Sequence, residues 1–468
     1  RLLSPIRDNI RQMTDNGLTA VQIKKVMKVL HPDLFIDSKI KSAVEYKQQQ
    51  NRCRIKFIEE LYSWCSQRNT YPSVDKTHDV FVPYFEAVDV NNTFICLTTR
   101  QLLSTCKYSS VLYIGCTYKV TANELPLLVF GTSDFNRRFY PMGVCLISSD
   151  ESSETFKTFF RGIQVWASTI NNQAYTVSHV MGDGAAGITG AMCELPLARR
   201  LMCWAHVIRK VRGHGTLIKN KDKFLLVEQD IMQLQLSFSD QIFVTAANLM
   251  INKWKLDKEL EKFTDYFEQQ WLTVLSFWYE GACILTPSTN NGLESLNGRI
   301  KQHYTMRHKL PLSAFLQTAE RMVKDWSIQN EQTPFGTHIT YKDDLDLEAV
   351  EWVKKVDKTQ ILQLTTFNFV VPSKDQKINT STWVNLLHSM AWDSYDHFKD
   401  WLHSARLLDF SRFLPPIFCT CRYGLKEFAC VHAVGMMMLW GTRQMPQEIG
   451  KRRGKGRPKK VKYALSKD

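Results

Sequence analysis

Apolar and polar positions follow two different rhythms along this chain. In LTAVQIKKVMKVLHP, residues 18–32, Ile23, Val26, Met27 and Leu30 recur at i, i+3, i+4 and i+7, which is one face of a helix. Thr19 is placed to cap it, Gln22 would complete a capping box, and Leu18 with Ile23 would form the accompanying staple. Pro32 ends the helix by disfavouring helical backbone at His31. Residues 1–84 read as a helical N-terminal region, and this segment reads as a core helix in preference to a DNA-reading helix-turn-helix.

From about Val80 the rhythm changes to short β-rich runs separated by turn residues. SVLYIGCTY (110–118), LPLLVFGTSD (125–134) and RRFYPMGVCLISS (137–149) are strand-like. ETFKTFFRGIQVWAS (154–168) then places Phe156, Phe159, Phe160, Ile163 and Trp166 at helical spacing. YTVSHVMGD (175–183) is another strand, AAGITGAMCEL (185–195) a helix, and RRLMCWAHV (199–207) a final short strand. This order predicts an α/β fold, a mixed sheet with flanking helices. Residues 208–286 read as a helical insertion rich in aromatics, 287–325 as a further helix of the core, and 326–400 as a connecting region of mixed signals. A Cys/His module occupies 401–442 and a basic tail 443–468.

The chain has 468 residues, enough for more than one core, and no apolar run near the roughly 18–20 residues that cross a bilayer. It begins at Arg1, so an upstream targeting segment is one thing the sequence leaves open. Net charge is +14, and eight basic residues fall between Lys451 and Lys462, leaving +6 for the rest. A mildly basic body with a cationic tail favours a polyanion partner, DNA first. Twelve cysteines scattered through a chain of this size fit reduced thiols, some of them holding metal, better than a disulfide framework.

Carboxylates that converge from distant parts of a chain are what metal-assisted phosphoryl transfer needs, since they hold the cations that activate the nucleophile and stabilise the leaving oxygen. Asp183 ends an apolar run, and Glu294 sits early in the helix that follows TPSTNN. LYIGCTYKV, LPLLVFGTSDFNRRFYPMGVCLISSDESSETFKTFF, VMGDGAAGITGAM, CWAHVIRKV and TNNGLESLNGRIK, in this order, resemble the Mutator-like element (MULE) transposase domain over about residues 85–325. The resemblance implies an RNase H-like fold, an Asp-Asp-Glu triad that binds Mg²⁺, and a helical insertion before the Glu. Asp183 matches the second acid, Glu294 the third, and Cys203 with His206 the family's Cys-x-x-His. At the first acid of Asp-x-Thr-Tyr-Lys this chain has Gly115. Cys116 is a soft thiol on the opposite side of the strand, poorly matched to Mg²⁺, and Asp134 reads as a turn residue. Because only this position departs, the expectation is a recently or deliberately inactivated transposase with cleavage impaired and its DNA-binding surface kept.

In FCTCRYGLKEFACVHAVGMMM, Cys419 and Cys421 can face one side of an extended chain, a turn at Tyr423–Gly424 brings the chain back, and Cys430 and His432 open a helix. Three thiols and an imidazole suit tetrahedral zinc, and the arrangement resembles the SWIM zinc finger that accompanies MULE transposases. Cys203 and His206 do not close a metal site by themselves. KRRGKGRPKK resembles an AT-hook, with Arg457 in the minor groove of A·T-rich DNA and Lys455, Lys459 and Lys460 on phosphates; it equally serves as a nuclear-localisation signal. The function expected is a nuclear MULE-type transposase acting on its transposon ends, with a second copy of the chain admitted as partner and no membrane. A transposase-derived DNA-binding protein without cleavage and a zinc-dependent protein scaffold are the alternatives.

Overall fold

The computed structural model describes residues 4–15, 18, 20–32, 37–50, 55–89, 92–148, 151–411 and 416–446. Thr19 and the basic tail, with Lys455, Arg457, Lys459 and Lys460, lie outside the described residues. Helices Ser4–Asp15, Ala20–Leu30 and Asp37–Gln50 open the chain. They enclose a small core of Ile6, Ile10, Ile23, Met27, Ile40 and Val44. The helix expected before Pro32 is therefore present, although Leu30 points to solvent.

The centre of the molecule is a seven-stranded mixed sheet: β1 (Phe85–Ala87), β2 (Thr93–Leu97), β3 (Val111–Thr117), β4 (Leu127–Ser133), β5 (Phe139–Ile147), β6 (His179–Gly182) and β7 (Arg199–Met202). Their spatial order is β1-β2-β5-β4-β3-β6-β7. The first five pair antiparallel, and β6 and β7 join parallel to β3. β2 and β5 are buried at every position because both faces of the sheet are covered. Helix Ser153–Asn171 covers one face with Phe156, Phe159, Phe160, Ile163 and Trp166, the residues its period selects. The Ser152 hydroxyl caps its first turn, accepting from the Thr155 amide at 3.3 Å.

Two sequence expectations shift here. β1 and β2 extend the sheet beyond the three antiparallel runs named from sequence. The run 199–207 is strand only to Met202, after which helix Trp204–Gly213 begins. Val207 and Val211 supply that helix's buried i, i+4 pair, a spacing the apolar run had hidden.

The insertion is helical, with Lys221–Leu234, Asp240–Lys255 and Glu261–Phe267. It closes around Trp254, Phe263, Phe267, Trp271 and Trp278. Helix Asn291–Arg299 then returns to the sheet. A second sheet, order β11-β10-β9-β8, follows. It uses β8 (Leu362–Gln363) and β9 (Asn368–Pro372), from the stretch expected to connect, with β10 (Ala405–Asp409) and β11 (Phe418–Cys419).

This C-terminal unit is fastened to the insertion through buried charge. Lys426 Nζ lies 3.5 Å from Glu280 Oε1, and the Ser288 hydroxyl donates to the same oxygen at 2.9 Å. Burial pushes the Glu280 carboxyl up and the Lys426 ammonium down, so both pay for desolvation. Removing one partner of such a pair costs about 3–5 kcal/mol, whereas replacing both costs little. Lys426→Met should therefore destabilise by that order in urea unfolding, and Glu280→Gln/Lys426→Met much less. A raised carboxyl binds its proton more tightly in the folded chain, so folded stability falls as pH rises past it. The Lys426→Met defect should shrink on acidification; a pH-independent defect would mean that Glu280 is not the group left unpaired.

Candidate active site and metal centre

The site is built at the carboxyl ends of β3 and β6, where the sheet switches from antiparallel to parallel pairing, the usual place for ligands in such sheets. β3 pairs β6 with Val111 opposite His179, Leu112 opposite Val180 and Tyr113 opposite Met181. Two residues further along the same register, Gly115 comes beside Asp183. Asp183 is half-buried, and its Oδ1 accepts from the Ala185 amide at 3.0 Å. Beneath it the Arg200 guanidinium donates to the Asp183 carbonyl. Burial pushes that guanidinium down to about 10, partly opposed by the Asp183 charge.

Helix Asn291–Arg299 crosses above β3. A Cβ placed on Gly115 would sit 3.0 Å from Leu293 Cδ2 and 3.9 Å from Asn290 Nδ2. Glu294, the next residue after Leu293, is exposed at the helix's first turn. Its amide donates to Asn290 O at 3.0 Å. The structure thus brings Gly115 beside Asp183 and packs it under the turn that carries Glu294.

Asn290 is 1% exposed, yet neither its Nδ2 nor its Oδ1 has a partner. It precedes the helix without capping it through its side chain. Other buried polar atoms without partners lie on nearby elements: Thr117 Oγ1 on the Gly115 face of β3, His206 Nδ1 on helix Trp204–Gly213 and Asn297 Oδ1 on helix Asn291–Arg299. Buried polar groups are ordinarily satisfied, and leaving one unpaired costs about 1–3 kcal/mol. Asn290 Nδ2, 3.9 Å from the Cβ position of Gly115, is thus an unused donor at that strand position. Replacing Asn290 by Leu in this chain should accordingly leave thermal stability unchanged or raise it by about 1 kcal/mol. A loss larger than that would mean the amide is satisfied where it stands.

The remaining sequence candidates separate clearly. Cys116 faces the other side of β3, packed against the core that helix Ser153–Asn171 covers. Burial, then Glu151, pushes its thiol well up. Asp134 is a turn residue at the far end of the sheet, accepting from the amides of Arg138 at 2.9 Å and Gly336 at 3.1 Å. Cys203 is a buried clasp whose sulfur accepts from the Asn290 amide at 3.4 Å, while Cys193 is exposed. Arg200 and Asn290 were missed from sequence. Neither carries a signal in sequence, since β7 is only half-buried at Arg199 and Arg200. A cavity of about 680 Å³ lies at the opposite end of β3, lined in part by Ser110, His179, Leu285 and Asp409. It is far from these carboxylates in the fold.

In the C-terminal unit, Cys419, Cys421, Cys430 and His432 offer ligand atoms that all lie within 4.8 Å of one another. The three cysteines are buried, and Cys419 Sγ stands 3.9 Å from His432 Nδ1. Cys419 ends β11, and the other two sulfurs cap helices. Cys421 Sγ accepts from the Gly424 amide at 3.1 Å at the start of Arg422–Glu427. Cys430 Sγ accepts from the Ala433 amide at 3.4 Å at the start of Val431–Leu439. The stretch read as a simple turn at Tyr423–Gly424 is a short helix ended by Phe428 in a left-handed conformation, φ 58°. Free helix N–H groups favour thiolate charge. Hydrogen bonds from Cys419 hold Cys421 well below the ordinary thiol range, and burial pushes Cys419 up. Metal–sulfur bonds of about 2.3 Å in a tetrahedron separate ligands by roughly 3.7 Å, so the cluster can hold a metal such as zinc. The adjacent Gly435 lets this helix approach Trp352, whose ring would lie 2.3 Å from a Cβ there.

Residues 111–210 match the family model of the MULE transposase domain. The matched segment runs from β3 into helix Trp204–Gly213, so it holds Gly115, Asp183, Cys203 and His206 and ends before Glu294. A comparison with curated proteins gave no match. The match points to a transposase-type function and, in general terms, to DNA as partner. Among the described residues no helix is long and apolar enough to cross a membrane.

Proposed function

We propose that this chain is a MULE-type transposase with an RNase H-like core, in which Asp183 and Glu294 are two members of an Asp-Asp-Glu triad and Gly115 stands where the first acid belongs. The observation that carries this reading is the unpartnered, buried Asn290 amide 3.9 Å from the Cβ position of Gly115. A carboxylate on that strand position would meet a donor already in place. The strand order β5-β4-β3-β6-β7, antiparallel then parallel, supports the RNase H-like core.

Mg²⁺ prefers hard oxygen donors. On this reading two of the three positions carry carboxylates and the third has none, so the donor set is incomplete and no metal-activated step follows from the residues present. What they retain is the means to position DNA beside Asp183 and Glu294, with cleavage impaired. Zinc is the metal proposed for the SWIM-like cluster, where Cys419, Cys421, Cys430 and His432 would hold it as a structural ion that organises the C-terminal unit. The tail around Arg457, with Lys455, Lys459 and Lys460, is proposed to grip A·T-rich DNA and to direct nuclear entry. Metal-dependent cleavage of element-end DNA by the unmodified chain and by Gly115→Asp is the deciding experiment. Robust cleavage without the substitution would overturn the reading.

A further inference from the structure

We propose that helix Asn291–Arg299 and the segment that follows it, through Leu310, form a phosphate-binding track that receives a DNA strand leaving the candidate site. The choice of DNA rests on the transposase reading; the track itself rests on charge and geometry. Between Glu294 and Glu320 the chain has no acidic residue, while Arg299, Lys301, Arg307 and Lys309 are basic. Arg299, Arg307 and Lys309 are exposed and Lys301 half-buried. Among the described residues, Arg299, Lys301 and Arg307 have no ion-pair partner.

The charge nearest the site is Lys301, while Arg299, two residues earlier, points to another face of the helix. Lys301 follows Glu294 by seven residues, two helical turns along nearly the same face and about 10 Å away at 1.5 Å per residue. Gly298 lies between them, and a Cβ there would meet nothing within 4 Å. The helix surface is bare at that point, so a polyanion backbone can approach closely. Beyond it the helix loosens into a π-turn, Ile300–Tyr304.

The segment then reverses through two successive left-handed residues, Met306 at φ 50° and Arg307 at φ 60°. Each such residue costs about 1–2 kcal/mol, and the strain is held by bonds to the main sheet's border. The Leu310 amide donates to Val120 O at 3.0 Å, and the Ala122 amide to Leu310 O at 2.8 Å. This contact returns the track to the exit of β3, where exposed Lys119 is also left-handed, φ 63°. Lys119 and Lys309 both border Glu124, which pairs with Lys309 at 2.5 Å. Asp325 is the other acid nearby, accepting from the Tyr304 hydroxyl at 3.1 Å. The excess charge is positive, and exposed cations in succession suit a phosphate backbone better than an irregular acidic peptide.

The test is binding of a fluorescent mixed-sequence duplex to the full chain without added Mg²⁺ or Mn²⁺, followed by anisotropy across salt. Each neutralised phosphate contributes about 0.9 to the slope of log K against log salt. Lys301→Ala/Arg307→Ala should lower the slope by about 1.8, whereas Lys354→Ala/Lys355→Ala, equal in charge but on another surface, should leave it unchanged. Arg457→Ala/Lys459→Ala/Lys460→Ala removes the tail's share, and the track's share must persist in that background. Thermal unfolding verifies that each variant is folded. An unchanged slope in the track variant, or polyglutamate displacing the chain as well as DNA does, would overturn the proposal. Because no cleavage is measured, failure here leaves the reading of Gly115 intact, and failure to rescue cleavage leaves the track intact.

Discussion

Gly115→Asp is expected to restore metal-dependent cutting of element-end DNA. The gain should exceed the 10–100-fold that loss of a merely supporting residue costs at a metal centre, because a missing charge among three carboxylates acts on the cations directly. The geometry also sets a condition on the rescue. The new Cβ would lie 3.0 Å from Leu293 Cδ2. That methyl is the far end of a flexible side chain, so the contact is relieved by a small rotamer shift, at a cost well below that of a backbone clash. Leu293→Ala added to Gly115→Asp would remove the crowding entirely, and activity should not fall. Asn290→Leu in the Gly115→Asp background should lower activity and stability together, the reverse of its effect in the unmodified chain. If Gly115→Asp is folded and binds DNA yet remains silent with both Mg²⁺ and Mn²⁺, the triad assignment fails.

Removing the C-terminal metal should have the largest effect on stability. Structural zinc contributes apparent free energies of about 10–16 kcal/mol in small zinc-binding peptides, comparable with the whole stability of a domain. The purified chain should contain one zinc per molecule. Chelation or Cys430→Ser should abolish amide protection across β10, β11 and helix Val431–Leu439 while the seven-stranded sheet keeps its own. The pH dependence follows from the thiols. Burial pushes Cys419 up, so metal must displace a proton to bind there, and affinity should weaken as pH falls. A chain that carries no zinc after mild purification, and whose melting is indifferent to chelators, would contradict this assignment.

Much of the sheet was legible because its strands alternate with turn residues at short intervals. Helix Ser153–Asn171 was legible because its aromatic stripe keeps one period over five buried residues. The cysteine cluster was readable from spacing alone, since two Cys-x-Cys/His pairs can converge without help from the rest of the chain. Asn290 and Arg200 were not: an unpaired buried atom has no signal in sequence, and the bond from Arg200 to the Asp183 carbonyl exists only once the two strands lie side by side. The strands β8 and β9 were missed for a related reason: two and five residues long, they acquire their role only when β10 arrives beside them. The site of Gly115 was visible as a departure from a pattern. Its packing under Leu293 required coordinates.

The main chain leaves the parallel edge of the sheet at Cys203 and comes back at Asn290, and those two residues touch through a sulfur-to-amide hydrogen bond of 3.4 Å. A second tie, from the Trp204 amide to Ser288 O at 2.9 Å, lies beside it. The whole helical excursion is therefore a closed loop with its neck pinned at the wall of the site. Doubling the length of such a loop costs only about 0.6 kcal/mol in closure entropy. Added length at the excursion's exposed turns is therefore cheap in closure entropy wherever the neck and the aromatic core are preserved.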